Sequence, residues 1–313
     1  MYMWEEAEFI SVLGTDVYAW GLFAAIGALA MLLLLCAMGL AKKMHKGAVP
    51  VTFLLGVFLG AICSKIFFAL FSFNVDVPFF GKMLPQVFTG GGHSMFGALV
   101  GGFAGAVIAA RLMKQNPLDY ADAFSVAALG FVFFARLGEM HVEDFGISRS
   151  LVYDFTARLP FAINGEYDSC LATYLLEAAC ALVMLGILLH DTKKQARPGN
   201  TFILFLLLFG ASQIVMESLR YDRHMSFTFI RMQQVLAILV LTGGLLWAAR
   251  RAGKGSKTLW LLFGMMVLIS GIGVGLEFAI DRTEINRYLL YLAFVVLVSI
   301  PVCMGLKLRK REA

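Results

Sequence analysis

Ionisable side chains in apolar surroundings are the residues of this 313-residue chain that could do chemistry. An ionised group at bilayer depth costs a few kcal/mol or more, so it usually faces a protein-lined or wet cavity. Arginine holds phosphate through two parallel hydrogen bonds, and carboxylates orient the guanidinium groups. The set therefore predicts a site for an anionic ligand. Its members lie inside long apolar stretches or at their edges: Lys65, Arg136, Glu139, Glu143, Glu177, Glu217, Arg220 and Arg231.

The elements that must position these charges are nine apolar stretches. The chain is 60% hydrophobic and 15% charged, whereas soluble domains average about 25% charged residues. A helix needs roughly 20 residues to cross the hydrocarbon of a bilayer. We therefore predict an all-α integral membrane protein. Its expected spans are residues 17–40, 50–73, 93–113, 121–138, 170–190, 201–219, 227–249, 258–280 and 287–306.

Basic residues predict the orientation of these spans. Clusters such as Lys42, Lys43 and Lys46 follow the first span, and further clusters follow the third, fifth, seventh and ninth spans. The positive-inside rule makes that face cytoplasmic. We expect a multi-pass protein of the cytoplasmic (inner) membrane, with the N-terminus outside and the C-terminus in the cytoplasm. The net charge of +5 comes from these loops and suits an anionic inner leaflet, not nucleic acid.

With this orientation, the unusual polar groups of the first seven spans all lie in the outer half of the membrane. Lys65 and Glu177 lie further from a span end than the others. A shared cavity open to the outer leaflet would accept an anionic phospholipid, with its acyl chains in the bilayer. For Arg231 or Glu139 the alternative is that each side chain reaches the interfacial water separately.

Other patterns in the sequence indicate packing. Gly97, Gly101 and Gly105 recur every four residues in the third span, and Gly56 and Gly60 do so in the second, which predicts close helix contact. The five cysteines have no metal or redox spacing, and no Gly-rich phosphate loop is present. We predict neither a metal site nor a cofactor.

Six segments resemble, in order, motifs of the bacterial prolipoprotein diacylglyceryl transferases. They are VYAWGLFAAIG (17–27), GAICSKIFF (60–68), GGGHSMFGALVGG (90–102), ARLGEMHVEDFG (135–146), ATYLLEA (172–178) and QIVMESLRYD (213–222). The resemblance implies a seven-helix transferase-like core in residues 1–249. Residues 250–313 would add a basic cytoplasmic loop, two more transmembrane helices and a basic tail. This last helix pair is poor in buried charge except for Glu277, so we expect it to be an appendage.

The resemblance also implies a reaction and the residues that serve it. The family transfers a diacylglyceryl group from phosphatidylglycerol to the thiol of a lipobox cysteine in a prolipoprotein. Arg136 matches the signature arginine and would bind phosphate; Glu143 matches the signature acid with one residue deleted, and Asp144 matches it without a gap. We predict as catalytic residues Arg136, Glu143, Glu217, Arg220 and His93. We predict as substrate-binding residues Arg136, Lys65, Ser94, Gly97, Gln213, Arg231 and Glu177.

Four positions depart from the family pattern. The family's histidine aligns with Phe96, its late arginine with Gln213, its first-span tyrosine with Trp20 and its second-span arginine with Ile62. Lys65 lies one helical turn from Ile62, and His93 lies three residues before Phe96, so these two could replace lost groups.

Three functions follow from these observations. The leading hypothesis is a transferase that acts on an anionic phospholipid. The second is a catalytically impaired paralogue that binds anionic phospholipid or lipoprotein, which the changes at Phe96 and Gln213 motivate. The third is a transporter, although transporter sites tend to lie near the bilayer midplane between repeated halves.

Overall fold

The chain folds into long apolar helices joined by short strands and turns. The structure is a computed structural model that describes residues 8–12, 15–71, 92–141, 147–150, 158–164, 169–193, 197–221, 225–227, 230–283 and 285–310. Within these ranges, nine helices are long and apolar enough to cross a membrane. They are α1 (Ala19–Ala41), α2 (Ala48–Phe71), α3 (Met95–Leu112), α4 (Pro117–Gly138), α5 (Thr173–Thr192), α6 (Asn200–Leu219), α7 (Met232–Arg251), α8 (Ser256–Arg282) and α9 (Arg287–Lys310). The prediction of an all-α, multi-pass membrane protein is confirmed.

Local chemistry explains where α4 begins. The side chain of Asn116 accepts a hydrogen bond from the Leu118 backbone N–H at 3.0 Å, which caps the helix. Pro117 occupies the first helical position, where its missing N–H leaves no hydrogen bond unmade. The helix therefore starts four residues before the predicted span 121–138, because hydropathy does not register a polar cap.

The described residues form two compact units, one within Met1–Leu189 and Leu219–Met232 and the other within His190–Ser218 and Gln233–Ala313. The division of the sequence into residues 1–249 and 250–313 stays a prediction.

In the first unit, the glycine stripe of α3 packs against the backbone of α2. A Cβ on Gly105 would lie 2.7 Å from the Gly56 nitrogen, and a Cβ on Gly101 would overlap the Leu59 carbonyl. Such distances are shorter than van der Waals contact, so only glycine allows this approach of the two helices. The prediction that these glycines serve helix packing is confirmed.

At one end of the first unit, an ion pair ties the C-cap of α1 to α4. Lys42 Nζ lies 2.8 Å from Asp122 Oδ2 and 3.2 Å from Asp119 Oδ1. Asp122 is almost fully buried. The pair joins the two helices at the end of α4 opposite to Arg136.

Short strands connect the helices. Strands β1 (Glu8–Val12) and β2 (Thr15–Tyr18) form an antiparallel hairpin that leads into α1. Strands β3 (Ile147–Ser150), β4 (Ala162–Asn164) and β5 (Ser169–Ala172) form an antiparallel sheet in the order β3-β5-β4. Strands β6 (Ser226–Phe227) and β7 (Ile230–Arg231) form a second hairpin, which leads into α7.

Candidate functional site

Four charged side chains of the first unit form a closed ring of ion pairs. Arg136 lies in the last turn of α4, and Glu139 opens the 3₁₀ turn that follows it. Glu177 lies near the start of α5, and Arg220 directly follows α6. Three helices, α4, α5 and α6, or the residues directly after them, thus supply the four side chains.

Each of the two carboxylates in the ring pairs with both arginines. Glu177 Oε2 lies 2.7 Å from Arg136 Nε, and Glu177 Oε1 lies 2.7 Å from Arg220 Nη1. Glu139 bridges the same two arginines: Oε1 pairs with Arg136 Nη1, and Oε2 lies 2.9 Å from Arg220 Nη2. Two positive and two negative side chains sum to zero charge, so each buried arginine is compensated.

The ring is buried. Arg136 is 3% exposed, Glu139 4%, Glu177 2% and Arg220 1%. Charged side chains at this degree of burial are rare unless they are paired, as these four are. The alternative that Glu139 reaches the interfacial water by itself is therefore wrong. The sequence signal that could have identified the Arg136–Glu139 ion pair is the spacing of three residues, which places the two side chains on one side of a helical turn.

Backbone pairing positions Arg220. The backbone of Arg220 forms an antiparallel β-bridge with Ser148 of β3, and the Tyr221 N–H donates a hydrogen bond to the Ile147 carbonyl at 2.9 Å. Ser148 Oγ accepts a hydrogen bond from the Leu171 N–H of β5 at 2.8 Å, just before α5 begins. The sheet thus joins the segment that carries Arg220 to the strand that leads towards Glu177.

Arg231 contributes to the same place from β7. Its Nη2 donates a hydrogen bond to the main-chain carbonyl of Arg220. A third guanidinium therefore lies beside the two arginines of the ring.

A second polar cluster of the first unit surrounds His93 at the start of α3. Gly92, directly before it, has φ of 99°, a conformation that favours glycine. Ser64 Oγ lies 3.5 Å from His93 Nδ1, accepts from the Ser94 N–H at 3.0 Å and donates to the Ser94 carbonyl at 3.0 Å. The indole of Trp20 stacks on the imidazole, with ring centroids 5.3 Å apart. His93 is therefore held on two sides.

Trp20 connects the two clusters. A Cβ built on Gly138 would lie 3.1 Å from Trp20 Cδ1, so the end of α4 packs directly against the indole. Gly138 immediately precedes Glu139 of the ring. The His93 imidazole and the ring therefore lie at the same end of α4, where Trp20 contacts both His93 and the backbone next to Glu139.

The remaining candidate residues lie in several places. Ser94 is fully buried and caps α3, with its side chain accepting from the Gly97 N–H at 3.2 Å. Gly97 belongs to the α2–α3 packing stripe, and Lys65 is half-buried next to Ser64. Their roles in substrate binding stay predictions.

Gln213 and Glu217 belong to the second unit, where they are 2% and 1% exposed. Phe96, at the position of the family's histidine, is also buried, at 2%. Glu143 and Asp144 lie outside the described residues. The structure thus brings together Arg136, Glu177 and Arg220 of the predicted catalytic and substrate-binding residues, and joins to them Glu139, a member of the wider set of charges without a predicted role.

Comparisons with known proteins identify the family to which the chain is similar. The family model of the prolipoprotein diacylglyceryl transferases matches residues 8–250. A phosphatidylglycerol–prolipoprotein diacylglyceryl transferase of Staphylococcus aureus (strain Newman) is 26% identical over 207 residues, which cover 63% of this chain and 72% of the relative. The protein of the same name from Clostridium novyi (strain NT) is 23% identical over 259 residues, covering 79% and 96%. That from Staphylococcus carnosus (strain TM300) is 27% identical over 212 residues, covering 64% and 74%.

Proposed function

Because this chain belongs to the prolipoprotein diacylglyceryl transferase family, we propose that it transfers a diacylglyceryl group from phosphatidylglycerol to a lipobox cysteine thiol of a prolipoprotein. The names of its relatives specify both substrates. The nine apolar helices within the described ranges place the reaction in a membrane, where the lipid donor is dissolved.

The bonds that change define what the site must supply. The cysteine sulfur forms a bond to the terminal glycerol carbon of the diacylglyceryl group. The bond from that carbon to the phosphate oxygen breaks, and glycerol phosphate leaves with the electron pair. The thiol proton passes to a base. Negative charge therefore increases on the phosphate, which cations stabilise, and a proton acceptor must lie near the sulfur.

The observation that carries the proposal is the meeting of Arg136 and Arg220 at the same two carboxylates. Glu139 and Glu177 fix the planes of both guanidinium groups in a buried site. Groups preorganised in this way stabilise developing charge without further reorganisation. We assign phosphate binding to the two arginines, with Arg231 as a third guanidinium beside them.

The same reaction gives His93 a role. An imidazole is the side chain best suited to accept a proton near neutral pH. Ser64 and Trp20 hold it at the end of α4 that carries the ring. We therefore assign His93 as the base for the thiol, in place of the histidine that Phe96 replaces. Lys65 would lie on the acceptor side, and Glu143 and Glu217 remain proposed as orienting carboxylates.

The orientation completes the proposal. The protein would lie in the cytoplasmic membrane with its N-terminus outside, so that the ring faces the outer leaflet. A prolipoprotein lipobox would then reach the site after export, and phosphatidylglycerol would enter sideways from the bilayer. Residues 1–249 would carry the transfer reaction.

The test measures the thioether product. Purified protein in phosphatidylglycerol liposomes is incubated with a lipobox peptide that contains one cysteine, and mass spectrometry follows the peptide. We expect the mass of one diacylglyceryl group on the cysteine, and no adduct on the matched peptide with serine there. An absent adduct, while a known transferase is active in parallel, refutes the proposal. Retained lipid binding in that case favours the impaired paralogue.

Variants assign the reaction to the ring. Arg220→Gln should lower the rate at least about 100-fold, because one preorganised cation is lost. Arg220→Lys keeps the charge but loses the planar fork, and should also be slower than wild type. The matched control is Asp122→Asn, which breaks a different buried ion pair, to Lys42 at 2.8 Å. It should retain activity within about twofold; equal losses in both variants would point to unfolding and contradict the assignment.

A further inference from the structure

Helices α8 and α9 follow the family match, which ends at residue 250. We propose that this helix pair positions the outer end of α6, the helix that carries Glu217 and leads into Arg220, and that Tyr291 and Glu277 are the positioning residues. The inference deepens the proposed function and rests on it. It is argued from contacts within the second unit.

Tyr291 of α9 satisfies a carbonyl at the end of α6. Its hydroxyl donates a hydrogen bond to the main-chain oxygen of Ser218 at 3.3 Å. The last four carbonyls of a helix have no partner within the helix, and in a membrane an unsatisfied one is costly. Ser218 directly follows Glu217 and lies two residues before Arg220. The hydrogen bond therefore lies at the end of α6, just before Arg220, which belongs to the ring.

Glu277 of α8 acts through Gln234 of α7. Gln234 Nε2 donates to Glu277 Oε1 at 2.8 Å and to the Ile214 carbonyl of α6 at 3.3 Å. The carboxylate thus fixes the amide that contacts the last turns of α6. Gln234 and Glu277 line a cavity with otherwise mostly apolar walls, among them Leu241, Met266 and Phe294. A carboxylate kept in such surroundings argues for a specific role.

Two further contacts fasten α9 along the length of α6. A Cβ on Gly305 would lie 2.6 Å from Leu207 Cδ1, so the two helices pack closely at mid-length. Near the other end, Arg309 Nη1 donates a hydrogen bond to the main-chain oxygen of Asn200, the first residue of α6, at 3.4 Å, and the same guanidinium forms a two-pronged ion pair with Asp191 of α5, with N–O distances of 2.7 and 2.8 Å. Contacts at both ends and in the middle oppose sliding of α6 along its axis. Reaction rates are sensitive to displacements of this kind, even far from the reacting atoms.

The experiment compares conservative variants in the full-length protein. Tyr291→Phe should lower kcat about 3- to 10-fold, the equivalent of one hydrogen bond, with KM for the lipobox peptide within about twofold. Glu277→Leu should lower kcat by about 10-fold or more. Glu277→Gln retains an oxygen acceptor for Gln234 and should stay within about threefold of wild type.

Ser299→Ala is the matched control. Its hydroxyl donates to the Val296 carbonyl of its own helix and is exposed, so it holds no other element. It should leave kcat and KM unchanged. An equal loss in Ser299→Ala and Tyr291→Phe would overturn the positioning role, and so would a rise in KM with constant kcat.

A second measurement does not depend on activity. Hydrogen–deuterium exchange of a peptide covering residues 213–221 should be faster in Tyr291→Phe and Glu277→Leu than in wild type, and unchanged in Ser299→Ala. Unchanged exchange in all variants refutes the inference even if activity falls. If the wild-type protein makes no thioether but exchange is faster in Tyr291→Phe and Glu277→Leu than in wild type, the positioning of α6 is retained and only the transfer reaction is rejected.

Discussion

Replacement of Glu177 by glutamine removes one charge from the ring with almost no change of shape. Its carboxylate is fully buried, and each oxygen lies 2.7 Å from a different guanidinium. Glutamine offers one oxygen acceptor, so either Arg136 or Arg220 loses one of its two carboxylate partners and keeps only Glu139, and the ring changes from zero charge to +1. Breaking a buried ion pair by removal of one member costs about 3–5 kcal/mol. Since glutamine retains one of the two contacts, we expect about 3 kcal/mol.

The assay is reversible unfolding in mixed micelles, with the free energy of unfolding compared between variants under identical conditions. Asp122→Asn is the control, because Asp122 is equally buried on α4 and pairs with Lys42 at 2.8 Å. Lys42 keeps Asp119 at 3.2 Å and is partly exposed, so the control should cost only about 1–2 kcal/mol.

The double variant Arg136→Gln/Glu177→Gln restores neutrality. It should be more stable than Glu177→Gln alone by at least about 1 kcal/mol, a coupling within the range measured for contacting residues. Its transfer activity should nevertheless stay lost, since an arginine assigned to phosphate is gone. Two results would refute this reasoning: a Glu177→Gln protein within about 0.5 kcal/mol of wild type, or a double variant whose loss equals the sum of the single losses.

Three other outcomes are expected. Gly101→Leu should prevent stable folding or lower the free energy of unfolding by more than about 4 kcal/mol, because even a Cβ would overlap the Leu59 carbonyl. The measurement is the yield of monodisperse protein, and a normal yield would contradict the close packing of α2 and α3. Arg309→Gln should lower the free energy of unfolding by about 2–3 kcal/mol, since it leaves Asp191 without its two-pronged partner, and Asp191→Asn in the same chain should recover part of that loss. His93→Gln should lower kcat about 100-fold or more at constant stability, measured as thioether formation; a rate near wild type would remove His93 as the base.

Hydropathy and glycine spacing made much of the fold predictable. Membrane insertion depends on the apolar character of about 20 consecutive residues, which is a local property of the chain. The predicted spans therefore agree with the helices to within a few residues. The start of α4 differs from the prediction because the cap at Asn116 extends the helix. The α3 stripe of Gly97, Gly101 and Gly105 likewise predicted helix contact. The absence of a Cβ is a property of each glycine and can be read directly from the sequence.

The sequence predicted which charged residues belong to the candidate site better than it predicted which of them form ion pairs with one another. The sequence indicated Arg136, Glu139, Glu177 and Arg220 as members of one polar set, and it predicted Glu143 and Glu217 as the catalytic carboxylates. In the structure, the carboxylate that joins Glu177 in the ring is Glu139. The depth of a charge along its own helix follows from counting residues, whereas the partner it meets does not.

What the residues alone established is therefore the membrane class, the helix positions and the types of group available for phosphate chemistry. Which carboxylate faces which guanidinium depended on contacts between distant segments: the bridge from Ser148 to Arg220, and the packing of Gly138 against Trp20. Ion pairing requires atoms within about 4 Å of each other. That proximity arises only when separate helices and strands have packed together, so it is a property of the assembled protein and of no single stretch of its chain.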